Sequence, residues 1–211
     1  VVAAYYYGEW KTPGTSYNLS PWDSLQPYSD RLPVISQKIS AGVYGLPSDN
    51  AAAVEWEQRQ AIEAGVDVFI HNSYWIKDPA EAPPANICHA NLALHAACPT
   101  PQKFAVQWSN HETWLTTLAD FNAAIDYMLG WAKNYPAKYW HINGLPVFYI
   151  WSMDNLKTVA QAVFAEPDWI VALEKAVTQI KARAVALGLP GVFVTSCAGF
   201  DHPLWTGRAF G

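Results

Sequence analysis

Five short apolar runs alternate with stretches of helical periodicity in this chain, and the later runs start at a regular step of about 40 residues. The runs are Val1 to Tyr7, Val66 to Ser73, Phe104 to Ser109, Pro146 to Ser152 and Val192 to Cys197. Each is apolar, aromatic or β-branched and ends in polar residues or a turn, as buried strands do. Between them, Ala51 to Ala64 follows the capping candidates Ser48 and Asp49 and stops at Gly65, which can take the left-handed C-terminal conformation. Leu118, Phe121, Ile125, Met128 and Leu129 recur at helical spacing ahead of Pro136, which blocks continuation. Leu173, Val177, Ile180, Ala184 and Leu187 form another stripe, opened by Asp168 as N-cap and closed by Gly188 and Pro190. Ala85 to Ala97 reads as a shorter helix confined by Pro83, Pro84 and Pro99.

Strand, helix, strand in this order implies parallel strands with right-handed crossovers, hence an α/β fold. The step is that of a (β/α)8 TIM-barrel unit. A doubly wound sheet would more often carry a GxGxxG turn after its first strand, and "YYYGEWKTPG" has none. Five strands do not close an eight-stranded barrel. The expectation is therefore one barrel-type domain over residues 1–211, forming the first five units of a longer barrel, with self-association or a missing C-terminal barrel segment covering the open edge. Val1 lies inside a strand-like run without Met or a charged n-region, so a leader or upstream segment is expected to have been removed, which favours a secreted or periplasmic protein. Residues 11–47 form a long proline-punctuated first loop, and long loops inside compact domains are usually functional.

Charge excludes one class of partner. Only 15% of residues are charged, the formal net charge is -5 and no basic cluster occurs, so nucleic acid has no electrostatic footprint. No apolar run reaches the roughly 18 residues of a spanning helix, which rules out membrane insertion and reads as a soluble chain. With no P-loop and no G-x-S-x-G elbow, nucleotide and serine-hydrolase chemistry lack their local signals, and no cofactor is expected. Cys88, His89, His95 and Cys98 carry metal-capable atoms without a zinc spacing, so no metal is expected either. Of the three cysteines, Cys88 and Cys98 could form a local bridge in an oxidising compartment.

The aromatic content points to a ligand. Eleven Trp, eleven Tyr and eight Phe exceed what a core of this size needs. Some of these rings should line a cleft suited to a ligand that is apolar on one face and hydroxylated at its rim, as a pyranose is. In parallel barrels ligands lie at the C-terminal ends of the strands. Those ends carry Tyr7, Glu9 and Trp10; His71, Asn72, Tyr74 and Trp75; Trp108, Asn110, His111 and Glu112; Trp151, Ser152 and Asp154; and Ser196, Asp201 and His202. The substrate-binding candidates are Tyr7, Trp10, His71, Trp75, Trp108, Asn110, His111, Trp151 and His202. Any one Trp could instead be barrel-top packing, and His71 reads first as a hydrogen-bonded buried histidine. Glycoside cleavage needs carboxylic groups whose environments separate their pKa values, and Glu112, Glu9 and Asp201 are the catalytic candidates. Asp154 reads better as the acid that opens a helix from Asn155 to Phe164.

The stretches "AAYYYGEW", "LPSDNAAAVEWEQRQAIEAGVDVFIHNSYW", "FAVQWSNHETW", "HINGLPVFYIWS" and "VTSCAGFDH" resemble, in order and spacing, the glycoside hydrolase family 99-like group, including WbsX-like proteins. That resemblance implies a (β/α)8 barrel, an oligosaccharide or polysaccharide substrate, and attack on α-mannosidic linkages by a retaining route in which a carboxylate assists the sugar 2-hydroxyl. It also implies a sugar-facing wall formed by Tyr7, Trp10, Trp75, Trp108 and Asn110. The H-x-E-P-type motif that carries the acid and base of that group, and the W-N-E-W-type segment of WbsX-like chains, have no match between Val1 and Gly211. The resulting expectation is a carbohydrate-active glycoside hydrolase whose main carboxylates lie beyond this sequence. Its rivals are a non-catalytic carbohydrate-binding module that kept the aromatic wall and a glycosyltransferase of polysaccharide biosynthesis.

Overall fold

The computed structural model describes residues 1–6, 37–40, 43–45, 48–75, 87–111 and 115–196. They form parallel strands alternating with helices, an α/β fold of partial barrel type. The chain folds as two compact units, the first comprising Val1–Asn72 with Ile76–Phe104 and the second Ser73–Trp75 with Ala105–Gly211.

The first unit contains β1 (Ala3–Tyr6), a short antiparallel pair β2 (Gln37–Ser40) and β3 (Val43–Gly45), α1 (Ala51–Glu63), β4 (Val68–Ser73, whose last residue belongs to the second unit) and α2 (Ile87–Ala97). β1 and β4 pair in parallel, from Ala3 opposite Val68 to Tyr6 opposite His71. The N-cap of α1 is Asn50, whose side chain accepts from the backbone N–H groups of Ala52 and Ala53, so the cap falls just after the expected Ser48 and Asp49. Gly65 takes φ 80°, the left-handed stop anticipated there. The β2–β3 pair lies within what reads in the sequence as unstructured loop. The local bridge that Cys88 and Cys98 could form is absent. Cys98 is a free thiol, because Cys88 sits in the first turn of α2 and Cys98 follows its last residue. Ten residues of helix separate the two backbones by about 15 Å, beyond the roughly 7 Å a disulfide spans.

The second unit holds β5 (Lys103–Trp108, entering from the first unit), α3 (Leu118–Asn134), β6 (His141–Ile142), β7 (Leu145–Ile150), α4 (Met153–Phe164), α5 (Trp169–Ala186) and β8 (Phe193–Ser196). β7 pairs in parallel with β5 and with β8, and antiparallel with β6. The β6–β7 turn is Asn143-Gly144 with φ 52° and 79°, both left-handed, as a two-residue hairpin requires. Asp168 caps α5 as its position predicted, while α4 is capped by Ser152 and carries Asp154 in its first turn. Phe121, Ala124, Ile125, Met128, Leu129 and Ala132 make the buried stripe of α3. Tyr139, 1% exposed, accepts from Val106 N (3.1 Å) and donates to Val147 O (2.9 Å), so one phenol satisfies a buried donor on β5 and a buried acceptor on β7.

Register assigns the faces of the second sheet. Val106 lies opposite Phe148, and Trp108 opposite Ile150. Trp108 packs edge-on against Phe121 of α3 at 6.0 Å, so this parity faces the helices. Gln107, Tyr149 and Thr195 form a cross-strand row on the other face.

Candidate functional site

Two groups of polar and aromatic side chains stand out, one in each unit. In the first unit, Tyr6 donates to Glu57 Oε2 (2.6 Å), and its ring meets His71 at 4.8 Å and His95 at 4.7 Å. His71 and His95 touch edge-to-face at 4.3 Å. Gln58 Nε2 bonds His95 Nδ1 (2.9 Å), Thr100 Oγ1 donates to Gln58 Oε1, and Asn91 Nδ2 donates to Ser48 O (2.8 Å). Burial pushes His71 down to about 3, opposed by its side-chain hydrogen bond with Asn91. Burial raises the Glu57 carboxyl and the Tyr6 phenol above their ordinary values, the charge of Glu57 adding to the effect on Tyr6. These groups bind one another between the strands and the helices. His71, 2% exposed, is thus a buried strand–helix residue, and the ligand contact expected of it has no exposed ring to act through.

The group in the second unit lies at strand ends. Ser109 N donates to Ser73 O (2.9 Å) and Trp151 N donates to Trp108 O (3.0 Å), which stitches the C-terminal ends of β4, β5 and β7 to one another. At or just past those stitches lie Tyr74, His111 and Trp151. His111 stacks on Tyr74 at 6.0 Å with a 26° interplanar angle, and meets Trp151 at 5.5 Å and 54°. Trp151 is 40% exposed, His111 is exposed and Tyr74 is half-buried, so three contiguous rings present a partly open surface at the strand ends. A three-residue turn, His111 N–H to Ser109 O at 2.9 Å, lifts His111 out of the strand.

Asn110 sits at the centre of that turn, and its amide is spent inside the protein. Its Oδ1 accepts from Ser152 N (2.9 Å) and its Nδ2 donates to Ser152 O (2.7 Å). Asn155 Nδ2 donates to Asn110 O (2.8 Å), and Ser152 Oγ accepts from Asn155 N (3.2 Å). At 1% exposure Asn110 offers no open amide to a sugar, and direct sugar binding by this side chain is set aside. Trp108 is set aside for a related reason: at 2% exposure its ring belongs to the core against Phe121. Trp75 is half-buried with its ring against Tyr127 of α3 at 5.7 Å.

Of the expected site residues, then, His111 and Trp151 are brought together and Tyr74 joins them. Tyr7, Glu9, Trp10, Glu112, Asp201 and His202 lie outside the described residues. Tyr74 was recognisable as a strand-end residue but not as the ring that His111 would stack on. The partnership of Asn110 with Ser152 and Asn155 has no local sequence signal, because it joins positions more than forty residues apart. Among the described residues, no helix is long and apolar enough to cross a membrane.

No protein-family model and no curated protein matches the sequence. Solved structures do. A "Glycoside hydrolase-like protein" superposes with TM-score 0.60 at 15% identity over 92% of this chain, which spans 51% of that protein's length. A GH99 endo-alpha-mannosidase from Bacteroides thetaiotaomicron, in complex with BIS-TRIS-propane, aligns with TM-score 0.47 at 15% identity, over 71% of this chain and 41% of that one. Another structure of the GH99 endo-alpha-mannosidase from Bacteroides thetaiotaomicron gives 0.44 at 14% identity, over 71% and 44%. The first likeness shows a shared fold, of which this chain spans about half.

Proposed function

We propose that this chain is a carbohydrate-active domain of glycoside hydrolase type, which holds sugar rings on the surface formed by Tyr74, His111 and Trp151. The supporting observation is the continuity of that surface: His111 touches Tyr74 on one side and Trp151 on the other at the ends of neighbouring strands, with Trp151 40% exposed. An aromatic face can stack on the apolar face of a pyranose, while an imidazole at its edge can exchange hydrogen bonds with ring hydroxyls. Oligosaccharides with α-mannosidic linkages are the first class to test, on the strength of the sequence motifs, and endo cleavage is the corresponding chemistry. Glu9, Glu112 and Asp201 are the carboxylates proposed for it, and Glu112 follows His111 directly in the sequence.

Calorimetric titration with mannose-, glucose- and galactose-based oligosaccharides tests this reading. Saturable binding that weakens about tenfold in Trp151→Ala, the equivalent of about 1.4 kcal/mol, supports it. No binding in any class would end it. Glu112→Gln then separates catalysis from binding: lost hydrolysis with retained affinity makes Glu112 an acid or base, whereas a parent that binds and never cleaves is a binding module.

A further inference from the structure

The strand ends that carry His111 and Trp151 are joined by a closed set of hydrogen bonds that touches neither ring. Asn110 grips both the N–H and the C=O of Ser152, Asn155 grips the C=O of Asn110, and the Ser152 hydroxyl accepts from the N–H of Asn155. Asn110 precedes His111 and Ser152 follows Trp151, so each ring is one residue from a clamped peptide. Trp151 is also tied through its own N–H to Trp108 O. His111, by contrast, leaves β5 through a three-residue turn, and apart from that turn its described backbone is held by its neighbour. Every member of the set has a partner and Asn110 is 1% exposed, so rotating its amide would strand a buried donor and a buried acceptor together.

We infer that Asn110, with Ser152 and Asn155, is a positioning device that fixes His111 against Trp151 and so pre-forms the ring surface before a ligand arrives. This rests on the reading of that surface as a sugar site, but the device itself is a property of the unliganded protein. Without it the peptide leading into His111 loses its anchor to Ser152 and Asn155, and a ligand must order both rings as it binds.

The experiment has two arms. In the free protein, the carbon-bound imidazole protons of His111 should carry a ring-current shift from Trp151, measured by NMR and identified by its loss in Trp151→Ala. Asn110→Ala should remove most of this shift, and Asn155→Ala part of it. In the second arm, the affinity for the oligosaccharide that the parent protein binds should fall about tenfold in Asn110→Ala, and should fall no further when Asn110→Ala is added to Trp151→Ala. Unchanged His111 shifts in both single variants overturn the proposal. So does an equal affinity loss from Asn110→Ala with and without Trp151, which would mean that Asn110 meets the sugar itself. Should Asn110→Ala not fold, Asn155→Ala decides by the same readouts, since it leaves both bonds between Asn110 and Ser152 and the α4 cap in place. A parent that binds no sugar defeats the functional reading alone, and the first arm still decides the positioning role.

Discussion

The buried cluster of the first unit makes a quantitative prediction about acid. His71 is 2% exposed and burial holds it at about 3, far below the ordinary value near 6.5. The folded protein therefore keeps this imidazole neutral while the unfolded chain takes up a proton as the pH falls through about 6.5. The sign follows: a depressed pKa gives stability that is present above the unfolded value and lost as the pH falls toward the folded one. Each pH unit in that window costs up to about 1.4 kcal/mol, and the step from pH 7 to pH 5 costs about 2 kcal/mol from this residue alone. Glu57, raised by burial, acts in the opposite sense and offsets part of the loss near the acid end of the window. His71→Phe keeps a flat ring beside Tyr6, Phe69, His95 and Phe104 and removes the titration. Urea unfolding at the two pH values should show that parent and variant differ in their pH dependence by about 2 kcal/mol, whatever the variant's stability at pH 7. If both lose the same stability between pH 7 and pH 5, His71 is not held neutral by burial and the reasoning fails.

Two further substitutions test the second unit. Tyr139→Phe strands Val106 N–H and Val147 C=O and should cost about 2 to 4 kcal/mol by urea unfolding; a loss below about 0.5 kcal/mol would show that the phenol does not serve both strands. Ala165, the left-handed residue that ends α4 at φ 47°, should accept glycine with a gain of about 0.5 to 1 kcal/mol, visible as a higher Tm, whereas a drop in Tm would mean that its methyl group packs.

The order of elements was legible because strands and helices in a parallel α/β chain have different periods, and Gly65, Asp168 and Gly188 mark helix ends whose geometry depends on those residue types. The facing of the strands was not. All six residues of β4 but Asn72, and all of β5 but Lys103, are buried, so neither strand alternates polar with apolar, and parity cannot be read from the sequence. Trp108 therefore reads as part of a ligand wall, and His71, which reads first as a hydrogen-bonded buried histidine, stays among the binding candidates, when their parity sends both toward the helices. His111 and Trp151 escaped that ambiguity because they lie beyond the strand ends, where chain direction and not parity sets their position. Asn110 was half legible: an amide at a strand end announces a hydrogen-bonding role, but whether its partner is a sugar or Ser152 depends on a contact forty-two positions away. The Asn143-Gly144 turn carries a strong local signal, since Asn-Gly between apolar residues marks a two-residue hairpin.

The central claim, that sugar meets this protein at Tyr74, His111 and Trp151, is tested most directly by fluorine NMR of protein labelled with 5-fluorotryptophan. The Trp151 resonance, identified by its disappearance in Trp151→Phe, would be followed while the oligosaccharide panel is added. A saturable shift of the Trp151 signal, with the signals of buried Trp108 and of Trp169 at the start of α5 unmoved, is the predicted result. A Trp151 signal that stays in place while ligand saturates the protein elsewhere, or across every class of glycan tried, would contradict it.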